Sequence, residues 1–290
     1  MNIFDVLNEY GNELSDDQKQ QIERKLTEML NYKPTIGVLG KTGAGKSSLC
    51  NALFGQDICP VSDVAACTRA TQDVLLEIGK GKGITLMDVP GVGETGERDQ
   101  EYEALYRKLL PKLDAVLWVL KADDRAYSID IDFYKALVKP HMEAGVPFIV
   151  VLNQVDKIEP FREWQLEERR PGPKQAINID AKVIDVAASF GLKQSQIIPV
   201  SADEKYGLSR LVDELIFSLP DEKKVAVINQ VPRENRSPQA IEETKSSIGR
   251  TLANVVSGAA RGAAMGGKVA GKVGAVVGAV AGAVAGFFGW

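Results

Sequence analysis

Eight residues, GKTGAGKS from Gly40 to Ser47, place glycines around a short turn and follow them with a lysine and a hydroxyl. Glycines at this spacing let successive backbone N–H groups turn inward and cradle phosphate oxygens, helped by the positive end of a following helix. Lys46 is then placed to reach the β- and γ-phosphates, and Ser47 to ligate Mg²⁺. The phosphate-binding set is Gly40, Lys41, Thr42, Gly43, Ala44, Gly45, Lys46, Ser47 and Ser48. Other strings that could do chemistry follow in order: DVPG (Asp88 to Gly91), NQVD (Asn153 to Asp156) and SAD (Ser201 to Asp203). An Asp at a strand end can hold a metal through water, and the next glycine's N–H can meet a terminal phosphate.

These strings need strands that end where they begin. Short apolar runs, PTIGVLG, GITLMDVP, DAVLWVL, PFIVVLN and QIIPVSA, alternate with helical stretches such as KSSLCNALFG and GLSRLVDELIFSL. That alternation predicts an α/β fold on a mostly parallel sheet covered on both faces. Before it, Ile3, Leu7, Tyr10 and Leu14, then Ile22, Leu26, Met29 and Leu30, recur at helical spacing, and Ser15 with Gln18 forms a capping box. FREWQLEERRPG, between Pro160 and Pro173, reads as an exposed charged excursion. The expected division is an N-terminal helical segment (1–33), a nucleotide-binding domain (34–220), a polar linker (221–243) and a basic tail (244–290).

Of 290 residues and a net charge of −4, the tail holds five Lys/Arg and no Asp/Glu, which leaves about −9 on the body. An acidic body disfavours nucleic acid as its partner, and a basic apolar tail suits an anionic membrane surface. Cys50, Cys59 and Cys67 are few and odd in number, as in a reducing compartment, and the single His141 completes no zinc pattern. The acidic N-terminus lacks the apolar run of a signal peptide. The expected location is therefore the cytoplasm, with contact at the inner face of the cell membrane.

Taken together, the four motifs, in this order at strand ends, resemble the guanine-binding set of the Ras-like translation-factor GTPases. Residues 34–220 are similar to the Era/TrmE/septin branch, and particularly to bacterial YfjP-type GTPases. The resemblance implies that Asp156 pairs with guanine N1–H and the exocyclic amine, Asn153 supports the base loop, and the Ala202 N–H, beside Ser201, meets guanine O6. A buried carboxylate facing adenine would lose its two donors, so GTP and GDP are the expected ligands. The resemblance also implies that Thr68, in Cys67-Thr68-Arg69, completes Mg²⁺ coordination together with Ser47 and, through water, Asp88; Thr71 competes for the role. Lys46, Thr68 and Gly91 form the implied catalytic set.

Three positions depart from the family pattern. Gln154 stands where a lysine usually packs over the base, which weakens affinity but not the guanine selectivity carried by Asp156. Val92 stands where Ras-type enzymes carry a water-orienting glutamine, so turnover is expected to be slow without an activator or a second protomer. Glu94, Glu97 and Arg98 share that loop and could organise water. Gly43 replaces the asparagine that binds potassium in TrmE-type enzymes, so the pattern gives no support to potassium activation.

In the tail, Gly258, Gly262, Gly266, Ala270, Gly274, Gly278, Gly282 and Gly286 fall every fourth residue, beside a row of alanines and glycines from Ala259 to Ala283. On a helix these rows make a wide small-residue packing face. Nine glycines cost such a helix roughly 9 kcal/mol relative to alanine, and the uncharged stretch from Val273 would reach only about 27 Å. Three readings are open: a glycine zipper in or on a membrane, a helical hairpin packed on the N-terminal helices, or a low-complexity tail. The overall expectation is a slowly hydrolysing GTP switch that pairs through its nucleotide domain or tail. The alternatives are an Era-like RNA- or ribosome-associated factor, or a scaffold with negligible turnover.

Overall fold

The computed structural model describes residues 14–55, 75–77, 85–88, 107, 110–261 and 269–289. Among the described residues one six-stranded sheet has the order β2–β3–β1–β4–β5–β6, built from β1 (Thr35–Leu39), β2 (Leu75–Glu77), β3 (Thr85–Asp88), β4 (Ala115–Lys121), β5 (Phe148–Asn153) and β6 (Ile197–Pro199). β2 runs antiparallel to β3, and every other pairing is parallel. The central strands AVLWVLK and FIVVLN are buried along nearly their whole length, as continuous apolar runs in a doubly covered sheet must be. Successive side chains alternate between faces. Leu117 and Val119 therefore join Ile36 and Val38 in one core, while Val116, Trp118 and Leu120 join Val150 and Leu152 in the other.

Helices cover both faces. The first core is closed by α2 (Lys46–Phe54) and α6 (Leu208–Ser218); the second by α3 (Ser128–Phe133), the short α4 (Lys139–Glu143) with the turn before it, and α5 (Pro173–Phe190). A further layer consists of α1 (Asp16–Asn31), α7 (Asp221–Ile228), α8 (Pro238–Arg261) and α9 (Val269–Phe288). Its own core joins Ile22, Leu26 and Met29 of α1 to Val225, Ile248, Leu252, Val280 and Val284. The capping box at the start of α1 is formed, with Gln18 N–H on Ser15 Oγ at 3.2 Å and Ser15 N–H on Gln18 Oε1 at 3.0 Å.

Where the sequence suggested a linker at 221–243, α7 takes 221–228 and α8 begins at Pro238, with a short turn at Arg233–Asn235 between them. Acidic Asp221 and Glu222 sit in the first turn of α7, where they favour the helix dipole. The remaining VAVI supplies two cores, Val225 facing α1 and α8 while Val227 and Ile228 face the sheet. Asn235 then donates to the carbonyls of Ala52 (2.9 Å) and Leu53 (3.1 Å), pinning the turn after α7 to the end of α2. Buried Lys224 pairs with Asp221 and Glu243, and Arg250 bridges the same two carboxylates at 2.7 Å each, joining α7 to α8.

In the tail, α8 and α9 pack against each other. α9 turns Val276, Val280, Ala281 and Val284 inward, against α8 and α1. Gly274, Gly278, Gly282 and Gly286 face outward, and a Cβ built on any of them meets nothing within 4 Å. Both rows have the same period of four, but the valine row removes far more apolar area from water and so decides which face packs. Among the described residues no helix is long and apolar enough to cross a membrane.

Candidate functional site

The phosphate loop begins as β1 ends. Gly40 has φ +139°, and a Cβ there would lie 2.2 Å from the Val119 carbonyl oxygen, so only glycine lets the loop cross β4 this closely. Gly45, at φ +86°, opens α2, and a Cβ there would lie 2.4 Å from Asn153 Nδ2. No side chain caps this helix start, and a helix N-terminus of this kind suits an anion. Lys46 is buried and donates to the carbonyls of Gly40 (3.0 Å) and Lys41 (3.2 Å). Ser47 and Ser48 follow in the first turn of α2, partly exposed.

Buried Asn153, the last residue of β5, ties three motifs together. Its Nδ2 donates to the Ala44 carbonyl at 2.9 Å, and its Oδ1 accepts the Ala202 N–H at 3.1 Å. That Ala202 N–H, expected for guanine O6, is therefore already engaged, and a bound base would have to share it. Buried Ser201 pairs in both directions with the Tyr206 backbone and accepts the Glu204 N–H on Oγ at 3.3 Å, closing the loop. Gln154 adopts φ +64°, donates to the Gly43 carbonyl at 3.2 Å and accepts from Lys157 Nζ at 2.9 Å. The substituted glutamine thus lies on the phosphate loop itself. Asp156 sits in the short turn Val155–Lys157, half-buried.

Lys41 is directed away from the loop's concave side. Its ammonium pairs with Asp130 at 2.7 Å and donates to the Ala126 carbonyl at 2.9 Å. Asp130 also accepts from Trp118 Nε1 at 3.3 Å, and its burial pushes its carboxyl above the ordinary range against the pull of Lys41. A cavity of about 210 Å³ opens here, between residues 41–44 and the end of β4 with Asp124 and Asp130. Two residues with no motif signal thus hold the site: Asp130 steadies the phosphate loop, and Gln175 donates to the carbonyls of Asp156 and Ile158.

The metal side draws on the end of β3 and the start of α2. Asp88 closes β3 in register with Val38, two residues before Gly40 on the neighbouring strand, so its backbone stands beside the phosphate loop. Thr68, Thr71, Gly91, Val92, Glu94, Glu97 and Arg98 lie outside the described residues. Among the described residues no cluster of His, Cys, Asp or Glu could hold a metal unaided. Serine at 47 and aspartate at 88 are oxygen-bearing residue types of the kind Mg²⁺ takes, and Mg²⁺ completes its shell with water and phosphate.

Comparison with known proteins places this geometry. Residues 35–154 match the family model described as 50S ribosome-binding GTPase. The chain is similar to the Uncharacterized protein YkfA of Escherichia coli strain K12, 40% identical over 260 residues that cover 88% of each chain. It is likewise similar to the Uncharacterized protein YfjP of the same strain, 37% identical over 259 residues, again 88% of each. GTPase Der of Leptospira borgpetersenii serovar Hardjo-bovis (strain L550) is 31% identical over 183 residues, covering 60% of this chain and 36% of that protein.

Proposed function

The chain belongs to the YfjP-type branch of the Ras-like P-loop GTPases, and from that premise we propose that it is a Mg²⁺-dependent GTP/GDP switch with slow intrinsic turnover. One observation carries the guanine reading: Asn153 bonds the phosphate loop at Ala44 and the Ser201–Ala202 loop at once, which sets the phosphate and base ends at a fixed span. Lys46 exchanges its two carbonyl partners for β- and γ-phosphate oxygens, a gain because both partners are then charged. Ser47 and, through water, Asp88 would hold Mg²⁺, which neutralises charge between those phosphates. By the family resemblance, Gly91 would offer its N–H to the γ-phosphate and Thr68 would complete the Mg²⁺ shell. Asp156 accepts the two guanine donors that adenine lacks in that arrangement. Valine at 92 cannot orient a water, which supports a slow reaction completed by an activator or a second protomer.

Binding of labelled GDP, GTP and ATP to the full chain, with turnover followed against protein concentration, tests the proposal. Equal affinity for ATP and GTP would remove the guanine assignment. A fast rate independent of protein concentration would remove the slow-switch reading. Membrane contact enters the proposal only as peripheral attachment through the basic flank around Lys268 and Lys272. Insertion of α9 would have to unpack Val276, Val280 and Val284 from the protein. The description of the matching family model supports a second reading, attachment to the large ribosomal subunit. Sedimentation with ribosomes that persists after vesicle-binding lysines are neutralised would favour it.

A further inference from the structure

We propose that Gln175 is a specificity-determining positioning residue, which holds Asp156 in register for guanine, and that the charged excursion 161–172 exists to place it. The inference rests on the guanine-nucleotide reading above. Gln175 is the third residue of α5 and is fully buried. Its Nε2 donates to the carbonyls of Asp156 and Ile158, both at 2.9 Å. Both partners are acceptors, so the amide nitrogen and not its oxygen must face them. One turn along the same helix, Asn178 Nδ2 donates to the Glu159 carbonyl at 2.7 Å. Three carbonyls of the base loop are therefore hung on α5, beyond what the sheet itself supplies.

The excursion explains how α5 comes to stand there. Glu163 turns back so that its Oε2 accepts the Lys174 N–H at 3.0 Å, an anion at a helix start that has no side-chain cap of its own. Gly172 permits the approach, since a Cβ there would lie 2.6 Å from the Glu163 carbonyl oxygen. Trp164, next along, stacks edge-on against Tyr206 with ring centroids 5.5 Å apart, and Tyr206 is the backbone partner of Ser201. The excursion thus bonds α5 on one side and the Ser201–Ala202 loop on the other. A carboxylate must meet guanine N1–H and the exocyclic amine together, a two-point contact that tolerates a displacement of only about 0.5 Å. Phosphate binding on the far side of the site does not share that demand.

The test is a ratio. Full-length protein and Gln175→Met, which keeps length and bulk but loses both donors, are titrated with GDP and with IDP, which lacks the exocyclic amine. The unmutated chain should prefer GDP, and Gln175→Met should reduce the GDP-to-IDP preference about tenfold, mostly through weaker GDP binding. Gln175→Glu, which sets a carboxylate against two carbonyls, should do at least as much. Glu163→Gln removes the charge at the α5 start from a half-exposed position and should lower the same ratio two- to threefold; it decides the matter if the Gln175 variants do not fold. Parallel weakening of GDP and IDP with the ratio kept, or no change in either, would overturn the role of Gln175. Failure of the unmutated chain to prefer GDP over ADP would instead overturn the guanine reading itself.

Discussion

Replacing Asn153 by alanine removes one side chain and strands two groups. The Ala44 carbonyl loses a donor at 2.9 Å and the Ala202 N–H loses an acceptor at 3.1 Å, both at a side chain that is only 1% exposed. A buried polar group left without a partner costs about 1–3 kcal/mol, so the pair should cost about 3 kcal/mol in all. For a chain of this size that lowers Tm by roughly 5–10 °C. Nucleotide binding should suffer as well, because the phosphate and base loops no longer arrive at a fixed span and only part of the population is competent. Asn153→Asp sharpens the test. The carboxylate still accepts from Ala202 but faces the Ala44 carbonyl with charge and no donor, so it should be worse than alanine. Thermal unfolding and GDP titration of both variants are the assays. A Tm within about 1 °C of the unmutated chain, with GDP affinity intact, would refute the view that this one amide spans the site.

The tail offers an opposed pair: Gly278→Ala should stabilise by about 0.5–1 kcal/mol, because the position is helical with open space, whereas Val280→Ala should cost about 2 kcal/mol from the α1–α8–α9 core; equal effects would show that the packed face is misassigned. Hydrogen bonds from Arg250 hold the Asp221 carboxyl below its ordinary 3.8, so the stability it adds is present above that pH and lost as pH falls further through the folded value. Acid unfolding of Arg250→Met should accordingly differ from the unmutated chain at neutral pH and converge with it at the acid end. Val92→Gln should not by itself create a fast enzyme, which single-turnover GTP hydrolysis checks. Charge reversal of Lys268 and Lys272 should weaken flotation with anionic vesicles by about 1 kcal/mol per charge, and no flotation of the unmutated chain would remove the membrane contact.

Legibility in the sequence followed locality. The phosphate loop, Asn153–Asp156 and Ser201–Ala202 are short strings at the ends of apolar runs, and strand and string are read together. Lys41 shows the limit: its motif position is plain, but its ammonium is claimed by Asp130, 89 residues away, and nothing local announces that partner. Gln175 is hidden for a different reason, since its partners are backbone carbonyls that any residue carries. The helix α7 escaped because its polar first half matches linker composition while its VAVI half feeds two cores at once. In α9 the glycine row is plain in the sequence, but the area each face can bury against α1 and α8 settles which turns inward, and that is the valine row.

The helical layer that unites α1 with α8 and α9 also fixes an order of events during synthesis. Ile22, Leu26 and Met29 leave the ribosome early, yet their partners Leu252, Val280 and Val284 follow more than two hundred residues later. At ordinary elongation rates the apolar face of α1 waits roughly ten to forty-five seconds before it can be covered. During that interval the sheet and its nucleotide loops can form around their own two cores, while α1 remains a sticky amphipathic helix open to chaperones or to neighbouring nascent chains. A ribosome stalled between α7 and α8 therefore holds the sheet with α1 only partly covered, by Val225. Synthesis of α8 and α9 supplies Ile248, Leu252, Val280 and Val284, which complete the cover over Ile22, Leu26 and Met29.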